Sequence, residues 1–447
     1  FGAYVNGDGT SLGQAQLPAD NTANTINITA GTNLGDSRIS GMFAYSRWSD
    51  SVDLLPFTVN TGITPIPLPA NTFNGKMDNI TVNLNYLAQI GANGTFTARY
   101  RLYDLSNKSD QLFISQYVRL DQNVEDLNEE NNLFAYKYHT LDLDLGWKLK
   151  HDLVWHVAYG YFRRDLDFRE VNKTTTNSFK TSLDWLASEE TTVRVSYQYA
   201  QRRFDQFADD NPTYAVIPLR RYDIADVNVN TLRGEAEFSA GEKSSISING
   251  SYGKNDYNQS DFGLQAVKEY TVGLDYSYAA GASTSLNLWY EFQNLTSDQK
   301  GRQSGAAPST DPRADWTANL VDKYNTFGAG FSTGILNKKA VWDTDVSYAK
   351  ADGAANLASP PGGAPDGALS LANANDTDLI TVKTSVNWKC SDHTRLIAGY
   401  EFEKYLIDDF AEDTIKADLV QYGSILLNAI QPRYLYHVGW IGMIFNW

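Results

Sequence analysis

Residues 140–161 read TLDLDLGWKLKHDLVWHVAYGY. Leu141, Leu143, Leu145 and Trp147 alternate with Thr140, Asp142 and Asp144, and a period of two puts the two sets on opposite faces of an extended strand. After a polar break at 148–152, Leu153, Trp155, Val157, Tyr159 and Tyr161 repeat the pattern. The stretch predicts a hairpin with one apolar, aromatic-rich face and one polar face.

The same design recurs along the chain. Phe179, Thr181, Leu183 and Trp185 are followed across 188–190 by Val193, Val195, Tyr197 and Tyr199. Tyr270, Val272, Leu274, Tyr276 and Tyr278 are followed across 279–282 by Leu286, Leu288, Tyr290 and Phe292. Further pairs are 26–34 with 39–45 across Gly35 and Asp36, 80–88 with 96–102 across 91–94, 232–238 with 246–252, 327–333 with 342–348, and 380–388 with 396–402 across 390–393. Between hairpins lie longer polar or Gly/Pro-rich connections at 49–75, 106–131, 205–225, 297–320 and 350–376. Short turns on one side and long loops on the other are the layout of a transmembrane β-barrel. A soluble sandwich or propeller would bury Leu, Val and Ile faces and has no need of one-sided loops.

Composition agrees. The 447 residues hold 27 Tyr, 20 Phe and 10 Trp against one Cys and three Met. Tyr and Trp concentrate where one end of a ring is apolar and the other wet, as at a membrane interface. Mean hydropathy is −0.40, and no run approaches the ~18 apolar residues of a helical span. The net charge of −16 argues against a nucleic-acid partner, which needs clustered Lys and Arg. Cys390 alone cannot supply a disulfide, a CxxC pair or a CxxCH haem attachment. The expected fold is an all-β, antiparallel up-and-down barrel occupying 1–447 in the bacterial outer membrane. Counting 1–6 as the end of one strand gives about 18 strands, with amino-terminal strands missing from this sequence. The last strand, 434–447, places Ile441, Met443, Phe445 and Trp447 on one face and ends on an aromatic. Residues 408–433 are expected to form an extracellular excursion, with a helical turn near 415–427.

Several stretches resemble the MtrB/PioB family of outer-membrane barrels. They are LPADN at 17–21, LPFTVN at 55–60, LPANTFNGKMD at 68–78, RYRLYDLSN at 99–107, RRYDIADVN at 220–228 and the end YLYHVGWIGMIFNW. Their order fits the later two-thirds of such a barrel. The chain departs from the family at Trp447, where Phe is usual, and has no counterpart to the family's amino-terminal strands, a full family barrel having on the order of 26 strands. The resemblance implies a non-catalytic barrel that ensheathes a periplasmic multihaem c-type cytochrome, so that electrons cross the outer membrane. It also implies an extracellular multihaem cytochrome as a further partner. Haem c would be carried by the partner, with no cofactor bound covalently by this chain. The alternative, which periodicity alone favours, is a general diffusion porin for small solutes; a membrane-embedded hydrolase ranks third.

Catalysis finds little support. His139, His151, His156, His393 and His437 lack metal-ligand spacing and read as interfacial or turn residues. The carboxylates are more informative. Asp142, Asp144, Asp184, Glu235, Glu237, Asp275, Glu291, Asp343, Asp345, Glu401 and Glu403 all fall on the polar faces of their strands. If the aromatic faces meet lipid, these line the lumen, which is then wet or filled by a partner offering cations and donors. Asp142, Asp144, Asp184, Glu235, Asp275, Glu291, Asp343, Asp345 and Glu401 are the expected partner-facing set. Leu143, Leu183, Val195, Leu274, Leu288 and Val346 are expected to face lipid, with the short turns periplasmic and the long loops outside. Glu129 with Glu130, and Asp209 with Asp210, read as solvated loop charge with calcium as the other option. Asp223 and Asp226, beside Arg220 and Arg221, could brace a loop or touch a partner.

Overall fold

The computed structural model describes residues 3–5, 11–13, 20–119, 123–167, 169–207, 219–257, 259–303, 309–360, 367–372, 374–409 and 433–445. Regular structure there is almost wholly strand. In chain order the strands are β1 (Ala3–Val5), β2 (Ser11–Gly13), β3 (Asp20–Leu34), β4 (Ser37–Asp53), β5 (Thr72–Ile90), β6 (Gly94–Asn107), β7 (Phe113–Arg119) and β8 (Asn123–Glu130). Then come β9 (Tyr136–Lys150), β10 (Leu153–Leu166), β11 (Lys173–Ser188), β12 (Thr191–Phe204), β13 (Leu219–Arg220), β14 (Val227–Ser239), β15 (Ser244–Asp256) and β16 (Phe262–Gly281). The last are β17 (Thr284–Arg302), β18 (Asp315–Ile335), β19 (Ala340–Ala358), β20 (Ala368–Leu371), β21 (Asn375–Lys389), β22 (Thr394–Asp409) and β23 (Tyr434–Phe445). A single 3-10 turn, Pro312–Ala314, lies in the connection before β18. Its cap is Asp311, which accepts from the Arg313 guanidinium at 2.7 Å and from the Arg313 amide at 2.9 Å. These bonds hold the Asp311 carboxyl below the usual carboxylate range.

The chain divides into two compact units. The first comprises Phe1–Leu145, Ala158–Asn177 and Arg203–Asp210; the second comprises Gly146–Val157, Ser178–Arg202 and Asn211–Trp447. In the first unit β3, β4, β5 and β6 form consecutive antiparallel pairs. The second unit runs β12, β14, β15, β16, β17, β18, β19, β21, β22, β23, again antiparallel throughout. β9, β10, β11 and the last two residues of β12 are shared between the units. All eight predicted hairpins are present, joined by turns of two to four residues, and β23 follows as predicted.

Two expectations change. The stretch 1–6 is not the end of a sheet strand: its described residues, Ala3–Val5, pair only with Ser11–Gly13 in a two-stranded ribbon. Three residues cannot cross a bilayer, and a local partner satisfies their backbone instead. The long strands among the described residues therefore number 17, not 18. The second change is strand length. β18 covers 21 residues, where about 9–11 suffice to span hydrocarbon. The strands continue into the polar stretches read as loops, as at 297–302, which pairs with 315–320. The connection at 106–131 also contains a hairpin of its own, β7 with β8, in which Glu129 and Glu130 stand opposite Ile114 and Phe113. Asp209 and Asp210, and the helical turn expected near 415–427, lie outside the described residues.

Register fixes the faces. Directly opposed residues of an antiparallel pair share a face. Leu274 stands opposite Ile248 and Tyr290, Tyr276 opposite Leu288, and Val346 opposite Ala329 and Val382. On this face Leu183, Val195, Leu274, Leu288 and Val346 are 43–47% exposed. Leu143 is half-buried, on the same face of β9 as the exposed Trp147. An apolar surface this extensive calls for an apolar solvent. Buried packing is sparse by comparison, and a small core sits in the second unit where 221–226 folds back: Ala225, Val227 and Tyr257 pack together with Val229, Leu264 and Val267. Ile224 is completely buried, and Arg202 Nε donates to the Ala225 carbonyl at 2.8 Å. RRYDIADVN is thus a structural clasp at the head of the sheet.

The assignment of faces is testable at one adjacent pair. Leu274→Arg should destabilise the bilayer-inserted protein by roughly 2–4 kcal/mol, whereas Asp275→Asn should change stability by less than about 0.5 kcal/mol. Denaturant unfolding from lipid vesicles would check this; equal costs would place the register off by one.

Candidate functional site

The carboxylates singled out from the sequence occupy the face opposite the apolar one, and the structure groups them. In the second unit, Asp184 on β11 accepts from Arg194 on β12 through both oxygens, at 2.7 and 3.1 Å. His156 Nε2 lies 3.7 Å from the same carboxylate. Arg194 stands directly opposite Glu235 on β14. A cavity of about 350 Å³ opens here, bordered by Asp184, Arg194, Glu235 and Glu237. The histidine reading is therefore corrected at one position. His139 and His437 bond Tyr100 and Tyr400 on the apolar face, at 2.9 and 2.6 Å, but His156 belongs to a polar cluster.

A second row crosses β19, β21, β22 and β23. Asp345 is directly opposite Lys383, which is directly opposite Glu401. Lys383 Nζ meets Glu401 at 2.9 Å, and Glu401 also accepts from the Tyr436 hydroxyl at 3.0 Å. Glu403, one step along, accepts from the Tyr434 hydroxyl at 2.6 Å. Asp343 stands opposite Ser332 and Ser385, while Asp275 faces Ser247 and Trp289 and Glu291 faces Gly273 and Thr326. In the first unit, Asp142 is 4.0 Å from Arg101, and Asp144 two residues on shares its face. The polar face thus carries cations as well as carboxylates. Arg101, Arg194 and Lys383 are interleaved with them, so charge alternates across neighbouring strands.

The sequence reading assigned aromatics to the lipid side and missed those on the polar face. Tyr103, Tyr136, Tyr138 and Phe162 form a continuous cluster in the first unit. Ring centroids are 5.7 Å apart for Tyr103 and Tyr136, 4.8 Å for Tyr136 and Tyr138, and 5.8 Å for Tyr138 and Phe162. With Thr81, Asn83, Arg101, Leu102 and Thr140 they line a cavity of about 490 Å³. In the second unit Trp289 lies flat over Gly328, and Trp440 over Gly399. A Cβ at either glycine would come within 2.6 and 2.3 Å of the indole, so only glycine lets these rings lie against the sheet. The signal was available: Tyr136 and Tyr138 share the parity of Asp142, and Trp289 breaks the parity of Leu288 and Tyr290.

No group of three or more potential metal ligands occurs among the described residues. A face of alternating charges, flat rings and shallow cavities is suited to contact with a large surface or to a hydrated path, and its opposite face is built for hydrocarbon. That is the division of labour of an outer-membrane β-barrel. The family model described as an outer membrane beta-barrel porin, MtrB/PioB, matches residues 3–446, and the chain belongs to that family. It is 20% identical over 420 residues to outer membrane protein MtrB of Shewanella baltica, a match covering 92% of this chain and 56% of that protein. The chain thus spans a little over half the length of this relative. Among solved structures it is similar to the FrpB iron transporter of Neisseria meningitidis, with a TM-score of 0.49, 11% identity, and coverage of 89% of this chain and 63% of the other. It is also similar to the ferric enterobactin receptor PfeA of Pseudomonas aeruginosa, with a TM-score of 0.42, 9% identity, and coverage of 96% and 74%. The protein resides in the outer membrane, and its family is one of porin-like barrels rather than of enzymes.

Two measurements probe this surface. Lys383→Met should leave Asp345 and Glu401 as like charges near one another and cost about 0.5–1.5 kcal/mol. Adding Asp345→Asn should recover part of that loss, and a purely additive double variant would show that the row is not coupled. Cys390, exposed in the turn between β21 and β22, should resist a membrane-impermeant maleimide in whole cells and react after the outer membrane is opened; labelling of intact cells would invert the orientation.

Proposed function

We propose that this barrel ensheathes a multihaem c-type cytochrome and thereby carries an electron path across the outer membrane, with the polar face described above as the partner-facing lining of the lumen. The observation that carries the reading is the make-up of that face. Carboxylates at Asp142, Asp184, Asp345 and Glu401 alternate with Arg101, Arg194 and Lys383, while Asp275 stands beside Trp289 and aromatic rings at Tyr136, Tyr138 and Trp440 lie on the same face. Paired charges and flat rings suit a folded partner, to which they offer fixed donors, acceptors and apolar area. The similarity to outer membrane protein MtrB of Shewanella baltica is consistent with this reading.

The division of labour follows from physical chemistry. A chain of haems needs fixed spacing and separation from lipid, and a barrel satisfies its backbone hydrogen bonds internally while leaving a polar bore. The haems would be the partner's, attached through its own CxxCH sequences, because this chain's one cysteine cannot provide them. An extracellular multihaem cytochrome docked at the long loops would extend the path. Asp144, Glu235, Glu291 and Asp343 complete the proposed partner-facing set.

The rival reading is a diffusion porin, favoured by the cavities and by the hydrated character of the polar face. Purification of the full-length protein from its native membrane, followed by a haem stain and a visible spectrum, separates the two. The cytochrome reading predicts a stoichiometric haem protein that leaves the barrel on high-salt washing only in part, since buried pairs are screened less than exposed ones. A haem-free barrel with open, solute-permeable conductance in planar bilayers would overturn it.

A further inference from the structure

Asp78 on β5 is the most heavily bonded carboxylate on the apolar face of the first unit. It accepts from the Tyr45 hydroxyl at 3.1 Å, from Arg47 Nε and Nη2 at 2.7 and 3.1 Å, and from Lys108 Nζ at 2.7 Å. Its side chain is 9% exposed, while those of Arg47 and Lys108 are 45% and 54% exposed. Lys76, two residues along β5 and therefore on the same face, is also exposed. One sheltered carboxylate thus fixes the cationic heads of Arg47 and Lys108 beside a third cation, and the three cations still outnumber Asp78 together with Asp110, the next carboxylate along this face, which accepts from Asn74 N and Nδ2 at 3.0 and 2.9 Å.

Position says what these cations meet. Arg47 stands opposite Asp78, Tyr45 opposite Ile80, Phe43 opposite Val82 and Ile39 opposite Tyr86, so the group continues the apolar face and is turned away from the polar one. From Ile39 to Arg47 is about 26 Å of strand, or about 20 Å along the membrane normal at the usual tilt, against an outward apolar band of about 25 Å. The backbone at Arg47 therefore lies within about 5 Å of the edge of that band, on the long-loop side, and the long Arg and Lys side chains carry their heads to headgroup depth. Other cations at this rim of the first unit each meet one carboxylate: Lys137 with Asp104 at 2.7 Å, Arg163 with Asp165 at 2.9 Å, Lys173 with Asp205 at 3.5 Å.

We infer that Arg47, Lys76 and Lys108, organised by Asp78, form a binding site for a phosphate group of the anionic glycolipid in the outer leaflet, lipopolysaccharide. Arg offers a planar fork that matches phosphate oxygens and Lys a point charge, and both reach the interface from an apolar surface by snorkelling. Basic clusters at this depth recruit anionic headgroups. The inference rests on the reading that the long loops face the cell exterior, and it is independent of what fills the lumen.

The test uses the full chain purified in detergent and freed of endogenous lipid. Bound lipopolysaccharide is counted by native mass spectrometry and its affinity measured by titration. Wild type should bind it, and the triple variant Arg47→Gln, Lys76→Gln, Lys108→Gln should bind at least about fivefold more weakly. Lys137→Gln on the same rim should bind as wild type does. The charge-conserving Arg47→Lys with Lys108→Arg should retain binding, which guards against a triple variant that misfolds; retained heat-modifiability on gels reports folding directly. Equal binding by wild type and triple variant, undiminished binding of enzymatically dephosphorylated lipopolysaccharide, or full competition by millimolar inorganic phosphate would each overturn the site. Preference for phosphatidylglycerol over lipopolysaccharide would overturn it too, by placing this rim in the inner leaflet. Haem retention by the triple variant should match wild type, so failure here is distinguishable from failure of the cytochrome reading.

Discussion

The backbone hydrogen bond in hydrocarbon is the constraint from which the rest follows. A strand that crosses a bilayer has no water to satisfy its amides and carbonyls, so each must be paired with a neighbouring strand. The ladders of this protein meet that demand with long uninterrupted registers, such as 315–333 against 284–302. Once the register is set, the period of two assigns every side chain to one of two solvents, and a slip of a single residue would exchange them all. Leu274 and Asp275 are neighbours in sequence and belong to different environments for this reason alone.

The two faces then solve opposite problems. On the apolar face, charge is confined to the rim beyond Tyr45 and Tyr100, where Asp78 and Asp104 are each held by cations. On the polar face, charge runs along the strands and is balanced across them, as in the rows through Arg194 and through Lys383. Isolated carboxylates in a narrow, partly filled bore would be costly. Alternation with Arg and Lys relieves that cost within the sheet itself, in the rows through Arg194 and Lys383. The flat indoles of Trp289 and Trp440 add apolar area there, made possible by Gly328 and Gly399.

Much of this was legible in the sequence, for reasons that individual residues make plain. Alternation located all eight hairpins, because the boundary between Leu143 and Asp144 or between Leu274 and Asp275 is a contrast in polarity that needs no long-range information. Strand ends were not legible: 297–302 carries no apolar alternation, and it is strand because 315–320 pairs with it on one side and 263–267 on the other. Nor was the clasp at 221–226, since the burial of Ile224 depends on packing that joins separate stretches of chain. The inward aromatics and the interleaved cations were present as parity, at Tyr138, Trp289, Arg194 and Lys383. Parity alone does not separate an inward ring from an interfacial one, and which cation stands across from a carboxylate depends on the register between strands.

The most direct test of the account is a spin-label scan of β16 from Tyr270 to Tyr278 in the Cys390→Ser background, reconstituted in lipid. The account predicts that even-numbered positions are accessible to oxygen dissolved in the bilayer. Odd-numbered positions should be accessible to a water-soluble paramagnetic complex in the empty barrel and become protected when the lumen is filled. Absence of a period of two, or the reverse parity, would contradict it.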